Sequence, residues 1–197
     1  MRIYIVRHGD KAEGAYFNPI LRQRDQPLSE PGEARAARLC AYFEPIDVSA
    51  IYTSEYLRAK QTARYVAEQK GLVPIVDRRL NEIDAGLVDG LSEAQMREQY
   101  PEFYADFFSC TKDVRCPGGE NGAEVHARQQ SLLADIIQNG RDVLLLSHEG
   151  YIRLLACLVL GLPPYRRNRF WIDFCGITEM EYRPERDDWR IIRVNHT

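Results

Sequence analysis

Residues 142–147, Asp-Val-Leu-Leu-Leu-Ser, constrain the fold of this chain more than any other stretch. A strand with one wet face alternates apolar and polar residues, and this run does not alternate. It therefore reads as a central parallel strand covered on both faces, which demands helices above and below a sheet. Residues 3–6 (IYIV), 50–53 (AIYT) and 74–77 (PIVD) are further short runs rich in β-branched or aromatic residues. Between them lie segments with helical spacing, so strand and helix alternate along the chain. That alternation gives an α/β class, a three-layer sandwich with a mostly parallel central sheet, helices on both faces and a small cap over its carboxyl edge. A length of 197 residues fits a single domain over 1–197, with the cap inserted at roughly 92–122.

Two of the strands end alike. The first breaks into Arg7, His8 and Gly9, and the run at 142–147 breaks into His148, Glu149 and Gly150. Open α/β sheets bind ligands at the carboxyl ends of their strands, where an arginine and an imidazole suit an anion. Gly9 is expected to let the backbone turn sharply there. Taken alone, Arg7 and His8 also fit an ordinary solvated strand end.

Charge confines any anion to a local site. Twenty-six Lys and Arg against 29 Asp and Glu leave a net charge of −3, with no long run of either sign, so no nucleic-acid surface is expected. No apolar stretch reaches the ~18 residues of a membrane span, and Arg7 and His8 interrupt the start too early for a signal peptide. A cytoplasmic protein without a membrane partner is the expectation. Five cysteines, Cys40, Cys110, Cys116, Cys157 and Cys175, contain no CxxC pair and read as reduced, mostly buried thiols. A nucleotide-binding GxxxxGK is missing, and no arginine follows Cys110 or Cys116 by six positions as a cysteine phosphatase would require.

In chain order, residues 11–26 read as a loop over the site, in which Arg22 and Arg24 form a solvated pair or, alternatively, reach an anionic substrate. Ser29 is a candidate N-cap, with Pro31 in the first turn of a helix carrying Ala36, Leu39, Cys40 and Phe43. Ser54 is read as the cap of a second helix that stops at Gly71 and holds Arg58 one turn in, where a guanidinium and free helix N–H groups add at an oxyanion. Ser92 and Gln95 form a capping box for a short helix that Pro101 interrupts. The aromatic stretch 101–108 reads as packing under the cap, with a substrate wall or dimer patch as alternatives. After a loop through residues 116–122, a long helix ends at Gly140. The tail from Phe170 holds strand-like runs at 170–175, 177–182 and 189–194, and His126 and His196 read as surface residues.

Four segments distant in the chain could thus meet at one sheet edge: Arg7-His8-Gly9, Ser54 with Arg58, Glu82, and His148. Together the strand-RHG start, the S-x-x-L-R-A-x-Q-T helix (54–62), the L-N-E-I-D-A-G turn (80–86) and the strand-S-H-x-G segment (147–150) resemble the histidine phosphatase superfamily, of phosphoglycerate-mutase-like fold. The resemblance spans nearly the whole chain in the family's order. It implies a metal-independent phosphomonoester hydrolase without cofactor, acting on a small phosphorylated metabolite.

The residue types suit that chemistry. Phosphoryl transfer needs positive donors for the equatorial oxygens, an in-line nucleophile and an acid for the leaving oxygen. His8 matches the nucleophile, because a neutral imidazole nitrogen attacks phosphorus and divides one step into two. Neighbouring cations keep it neutral. Arg7 and Arg58 grip phosphate oxygens bidentately, and His148 donates to the same oxygens if protonated. Glu82, at the position of the family's proton donor, is preferred over Asp84. Gly9, Ser54 and Glu149 complete the candidate substrate contacts, and Glu120 in the P-G-G-E segment is a further one.

Two departures stand out. Asp10 and Lys11 follow RHG where many members have Glu or Gln and then Thr, and Glu149 replaces a common glycine. A carboxylate at 149 either faces away or repels phosphate. Glu149 motivates the alternative of a phospholigand-binding module without turnover. A phosphoglycerate-mutase-type phosphotransferase is the other alternative, and a metallohydrolase is disfavoured because Arg7 and Arg58 would compete with a cation beside His8 and His148. Substrate identity and a homodimeric state stay open.

Overall fold

In the computed structural model, which describes residues 1–21 and 23–197, the strands and helices follow the expected alternation. Strand β1 (Arg2–Arg7) leads into a two-stranded hairpin, β2 (Phe17–Asn18) and β3 (Gln23–Arg24), within the segment read as a loop. Arg22 lies outside the described residues. Then come α1 (Glu30–Phe43), β4 (Ala50–Thr53), α2 (Leu57–Lys70) and β5 (Ile75–Val76). The cap helices α3 (Glu93–Gln99) and α4 (Pro101–Ser109) precede α5 (Gly122–Asn139), β6 (Val143–Ser147) and α6 (Glu149–Val159). Strands β7 (Ile177–Arg183) and β8 (Asp188–His196) close the chain.

The main sheet has the order β5-β4-β6-β1-β7-β8. Its first four strands are parallel, and β7 and β8 are antiparallel additions at one side. Strand β6 is buried throughout, as its unbroken apolar run requires. Because side chains alternate across a strand, Tyr4 and Val6 enter one core with Ala36, Phe43, Ala63 and Val66 of α1 and α2. Ile3 and Ile5 enter the other with Leu132, Ile136, Leu154 and Leu155 of α5 and α6. The two cores clamp the sheet and leave its carboxyl edge to the loops. No helix among the described residues is long and apolar enough to cross a membrane.

Local signals explain most helix ends. Ser29 accepts from Gly32 N–H, and Ser92 with Gln95 forms the reciprocal capping box. Gly71 and Gly140 close α2 and α5 at φ of 64° and 63°. Asn121 and Glu124 cap α5 in a second reciprocal box, so the helix starts at Gly122, inside the expected loop 116–122.

Several expectations need correction. Residues 170–175 are not a strand, since their backbone groups serve the end of β1 and the tail instead of a ladder. The Ile172 carbonyl accepts from Arg7 Nη1, Asp173 N–H donates to Asn195, and Cys175 N–H donates to the carbonyl of Arg7. His126 is half-buried rather than superficial, its Nε2 bonded to the Leu154 carbonyl at 3.0 Å. Of the five free thiols, Cys116, Cys157 and Cys175 are buried, whereas Cys40 and Cys110 are partly exposed. The aromatic side chains of α4 stack on one another without any being fully buried, and Phe108 remains 46% exposed.

Candidate active site

Sheet register brings the site together. Arg7 pairs with Ser147 across β1 and β6, and Thr53 pairs with Leu146 across β4 and β6. Of the residues that follow, His8 and His148 therefore leave β1 and β6 at one level, with Ser54, after β4, one position earlier beside them. Helix α2 begins three residues after Ser54 and aims Arg58, its second residue, back over the same edge. Ser54 does not cap that helix. The cap position belongs to Tyr56, and the Ser54 hydroxyl oxygen instead accepts from His148.

Hydrogen bonds assign the tautomers of both imidazoles. Arg58 Nε–H can only donate, so His8 Nε2, 3.1 Å away, accepts, and its proton sits on Nδ1, 2.7 Å from the Gly9 carbonyl. His8 thus holds an unprotonated Nε2 toward the guanidinium. By the same reasoning His148 Nδ1 accepts from Arg58 Nη2 at 3.3 Å, and its Nε2–H donates to Ser54 Oγ at 2.8 Å. The two rings lie edge to face with centroids 5.1 Å apart. Burial above all, and Arg58 next, push both histidine pKa values well below the ordinary range. Burial and the neighbouring guanidinium thus favour the neutral form of both imidazoles.

Arg58 is itself buried, stacked 4.3 Å above the Tyr56 ring and 3.8 Å from Asp25. Arg7 is held differently. Its Nη1 donates to the Ile172 carbonyl, its Nη2 pairs with Glu149 at 3.0 Å, its plane lies 3.9 Å from the Phe174 ring centroid, and its buried Nε has no partner. Glu149 therefore neither faces away nor points at an anion site unaccompanied. Its other oxygen binds Arg153, one turn along α6.

Glu82 follows a 3-10 turn, Arg78–Leu80, whose Leu80 carbonyl accepts from Ser147 Oγ at 2.7 Å. Its carboxyl oxygens accept N–H bonds from Ile83, Gly150 and Tyr151 at 2.9, 3.1 and 2.8 Å, the last two from the start of α6. Gly150 permits this approach, since a Cβ there would meet Glu82 Oε1 at 2.7 Å. Asp84, the competing carboxylate, is committed elsewhere, to Gln23 and Gly86 N–H. Glu120 supports the backbone by accepting from Asp84 N–H and pairing with Arg128.

Gly9 is not at a sharp turn. Its N–H donates to Thr62 Oγ1 at 3.0 Å, and the glycine is needed because a Cβ would lie 2.7 Å from the Gly32 carbonyl. Two residues escaped the sequence reading. Arg128 of α5 donates to the carbonyls of Arg79, Asn81 and Glu82 and so fixes the Glu82 backbone from a helix distant in the chain. Lys11 lines the cavity of about 320 Å³ at the mouth of the site with Arg24, Arg58 and Glu82. A lone basic residue on a helix gives no hint of the first role. The departure at Lys11 was visible, but its placement was not.

Arg58 bonds to both histidines, Arg7 and Glu82 lie within electrostatic reach of that cluster, and two guanidiniums, an imidazole nitrogen and a carboxyl are the set that phosphoryl transfer uses. Among the described residues, no group of three or more His, Cys, Asp or Glu side chains is placed to hold a metal.

The model of the family described as the histidine phosphatase superfamily (branch 1) matches residues 3–197. A protein of Enterobacter sp. (strain 638) named "Probable phosphoglycerate mutase GpmB" is 31% identical over 185 residues, covering 93% of this chain and 86% of that one. The solved structure of a mycobacterial glucosyl-3-phosphoglycerate phosphatase superposes with a TM-score of 0.83 at 26% identity, covering 100% of this chain and 99% of the other. The alpha-ribazole phosphatase of Shigella flexneri, at 21% identity, 100% and 96% coverage and a TM-score of 0.83, shares the fold.

Proposed function

The chain belongs to the histidine phosphatase superfamily, branch 1, and from that membership and the site geometry we propose that it hydrolyses the phosphomonoester of a small phosphorylated metabolite through a phosphohistidine at His8. The observation that carries this reading is the free Nε2 lone pair of His8, fixed by the Nδ1–H bond to the Gly9 carbonyl. Histidine attacks phosphorus only through an unprotonated nitrogen, and here burial and Arg58 keep it so.

Substrate phosphate displaces the Arg58 Nε–H from His8, and Arg58 and Arg7 then donate to its oxygens. As His8 Nε2 forms its bond to phosphorus, the ester P–O bond breaks and protonated Glu82 gives its proton to the leaving oxygen. The N–H groups of Ile83, Gly150 and Tyr151 stabilise the carboxylate left behind. Glu82 next takes a proton from water, whose oxygen attacks the phosphohistidine and frees inorganic phosphate. His148, anchored by Ser54, holds the guanidinium of Arg58 between the two rings. The glucosyl-3-phosphoglycerate phosphatase and the GpmB relative, both named for phosphorylated small molecules, support this substrate class.

Protein quenched in acid during turnover of labelled aryl phosphate is expected to carry label that is lost on further acid treatment and is absent from His8→Ala. Normal turnover by His8→Ala refutes the reading. A phosphotransferase, as the GpmB name suggests for that relative, would return an isomerised ester in place of free phosphate, so product analysis separates the two.

A further inference from the structure

A cavity of about 580 Å³ lies outside the site, where α1 meets residues 173–175, the start of β7 and the end of β8. Arg35, Arg38, Leu39 and Tyr42 of α1 line it at intervals of three and four, so a single stripe of that helix faces it. Leu39 and Ile177 are buried, Tyr42 and Phe174 are partly buried, and the two arginines stand exposed beside them. An apolar lining with a few polar groups suits an organic molecule better than a bare ion. Charge sets its sign. Arg38 has no ion-pair partner among the described residues, and Arg35, half exposed, has Asp10 at 3.4 Å. Asp173 is the one carboxylate side chain in the lining among the described residues, and its oxygens already accept from Trp171 Nε1 and Asn195 Nδ2 at 2.9 and 2.8 Å.

Two contacts join this cavity to the candidate active site. Phe174 belongs to both, since it lines the cavity while its ring centroid lies 3.9 Å from the Arg7 guanidinium carbon and 5.7 Å from the His8 ring centroid. Arg35 is the second link, through Asp10, the residue after Gly9. We propose that the cavity is a second binding site, for a small organic anion with a flat apolar body, whose occupant tightens phosphate binding at Arg7. The body packs on Phe174, Leu39 and Tyr42, and the anionic group pairs with Arg38 and Arg35. Covering Phe174 shields its ring from water, which strengthens the attraction of the ring face for Arg7. That attraction uses none of the Arg7 N–H donors, so the guanidinium is fixed in place with its donors kept for phosphate. The second site stands apart from the phosphatase reading above, and its effect at Arg7 rests on that reading.

The test uses three probes: indole-3-acetate carries ring and charge, indole-3-acetamide the ring alone, and acetate the charge alone. Isothermal calorimetry should give indole-3-acetate a dissociation constant on the order of 1 mM, the ordinary efficiency for a ligand of its size. The acetamide and acetate should each bind at least about fivefold more weakly, and Arg38→Gln should weaken indole-3-acetate by about three- to fivefold, the effect of one partly exposed ion pair. Indole-3-acetate should tighten inorganic phosphate by about threefold or more, and phosphate should tighten indole-3-acetate by the same factor, because linkage is reciprocal. In Phe174→Leu that factor should fall to one. No binding heat at about 5 mM, equal constants for the acid and the amide, or an affinity indifferent to Arg38→Gln would overturn the second site. Displacement of indole-3-acetate by phosphate would overturn it too, by placing the probe in the active site. Binding that leaves phosphate affinity unchanged would overturn the effect at Arg7. Labelling of His8 by an aryl phosphate reports the phosphatase reading separately, since the second site can pass its own test in a protein whose His8 stays unlabelled.

Discussion

Acid should unfold this protein through its buried imidazoles before its carboxylates matter. His8 and His148 are 4% and 0% exposed, and both pKa values are held well below the ordinary 6.5, by burial first and by Arg58 second. His126, half-buried at the Leu154 carbonyl, is lowered too, again chiefly by burial. A histidine whose pKa is lower folded than unfolded binds a proton only in the unfolded chain between those two values. Its full contribution is present above pH ~6.5 and is lost as the pH drops below that point. Each such group tilts unfolding free energy by about 1.4 kcal/mol per pH unit inside its window. With the fully buried pair acting together, the slope has an upper limit of about 3 kcal/mol per unit below pH ~6, against a total stability of about 5–15 kcal/mol for a domain. Carboxylates with lowered pKa, such as Asp173 held by Asn195 and Glu181 held by Arg190, add their loss below about pH 5, so the window above it reports mainly the histidines. Urea unfolding followed by the fluorescence of Trp171 and Trp189 at half-unit steps from pH 7.5 to 5 measures the slope, and His8→Asn should reduce it by about half. A wild-type slope below about 0.5 kcal/mol per unit across that window would refute the account of two buried neutral imidazoles.

The remaining tests concern the start of α6. Glu149→Gln releases Arg7 from its carboxylate partner, and inorganic phosphate should then inhibit turnover roughly fivefold more tightly, the equivalent of ~1 kcal/mol for a partly exposed pair; unchanged or weaker inhibition contradicts this. Gly150→Ala places a methyl 2.7 Å from Glu82 Oε1, so kcat should fall at least tenfold. Its melting temperature should move little, because displacing a side-chain end is offset by the ~1 kcal/mol that alanine gains over glycine in a helix. Wild-type kcat in that variant would remove Glu82 from the chemistry.

Strand periodicity made the core legible, and the site residues were legible where apolar runs end and in the motifs shared with the histidine phosphatase superfamily. His8, Ser54 and His148 meet because β4, β6 and β1 are neighbours that end at the same level, a consequence of apolar runs of similar length. Cap chemistry was equally readable at Ser29, Ser92 and Gly140, where the partner lies within one turn. Failures came where a local signal met a competing distant partner. Ser54 has the residue type and position of a cap, but a buried imidazole proton needs an acceptor more than a solvated helix end does, and His148 takes it. Residues 170–175 have strand composition, yet their polar backbone groups are used by Arg7, Asn195 and the end of β1. Arg128 carried no signal at all. A guanidinium that holds three carbonyls of another segment is specified only by the packing of α5 against the turn before Glu82.

The two guanidiniums of the site are engaged by neighbouring groups, and this bears on how a phosphate would bind and leave. Arg58 spends its Nε–H on His8 and an Nη2–H on His148, while Arg7 spends one nitrogen on a carbonyl and another on Glu149. Binding phosphate therefore exchanges these bonds for new ones instead of filling bare cations, which lowers net affinity, because only the difference between the two sets is gained. On the proposed reading, departure of phosphate would restore these contacts, with Glu149 on both Arg153 and Arg7 and the Arg58 donor on His8. A site of two uncompensated guanidiniums would hold inorganic phosphate as firmly as it held the ester. If the protein hydrolyses phosphomonoesters as proposed, it must release phosphate once per turnover, and a resident carboxylate on Arg7 would favour that release over retention, which a glycine at position 149 could not do.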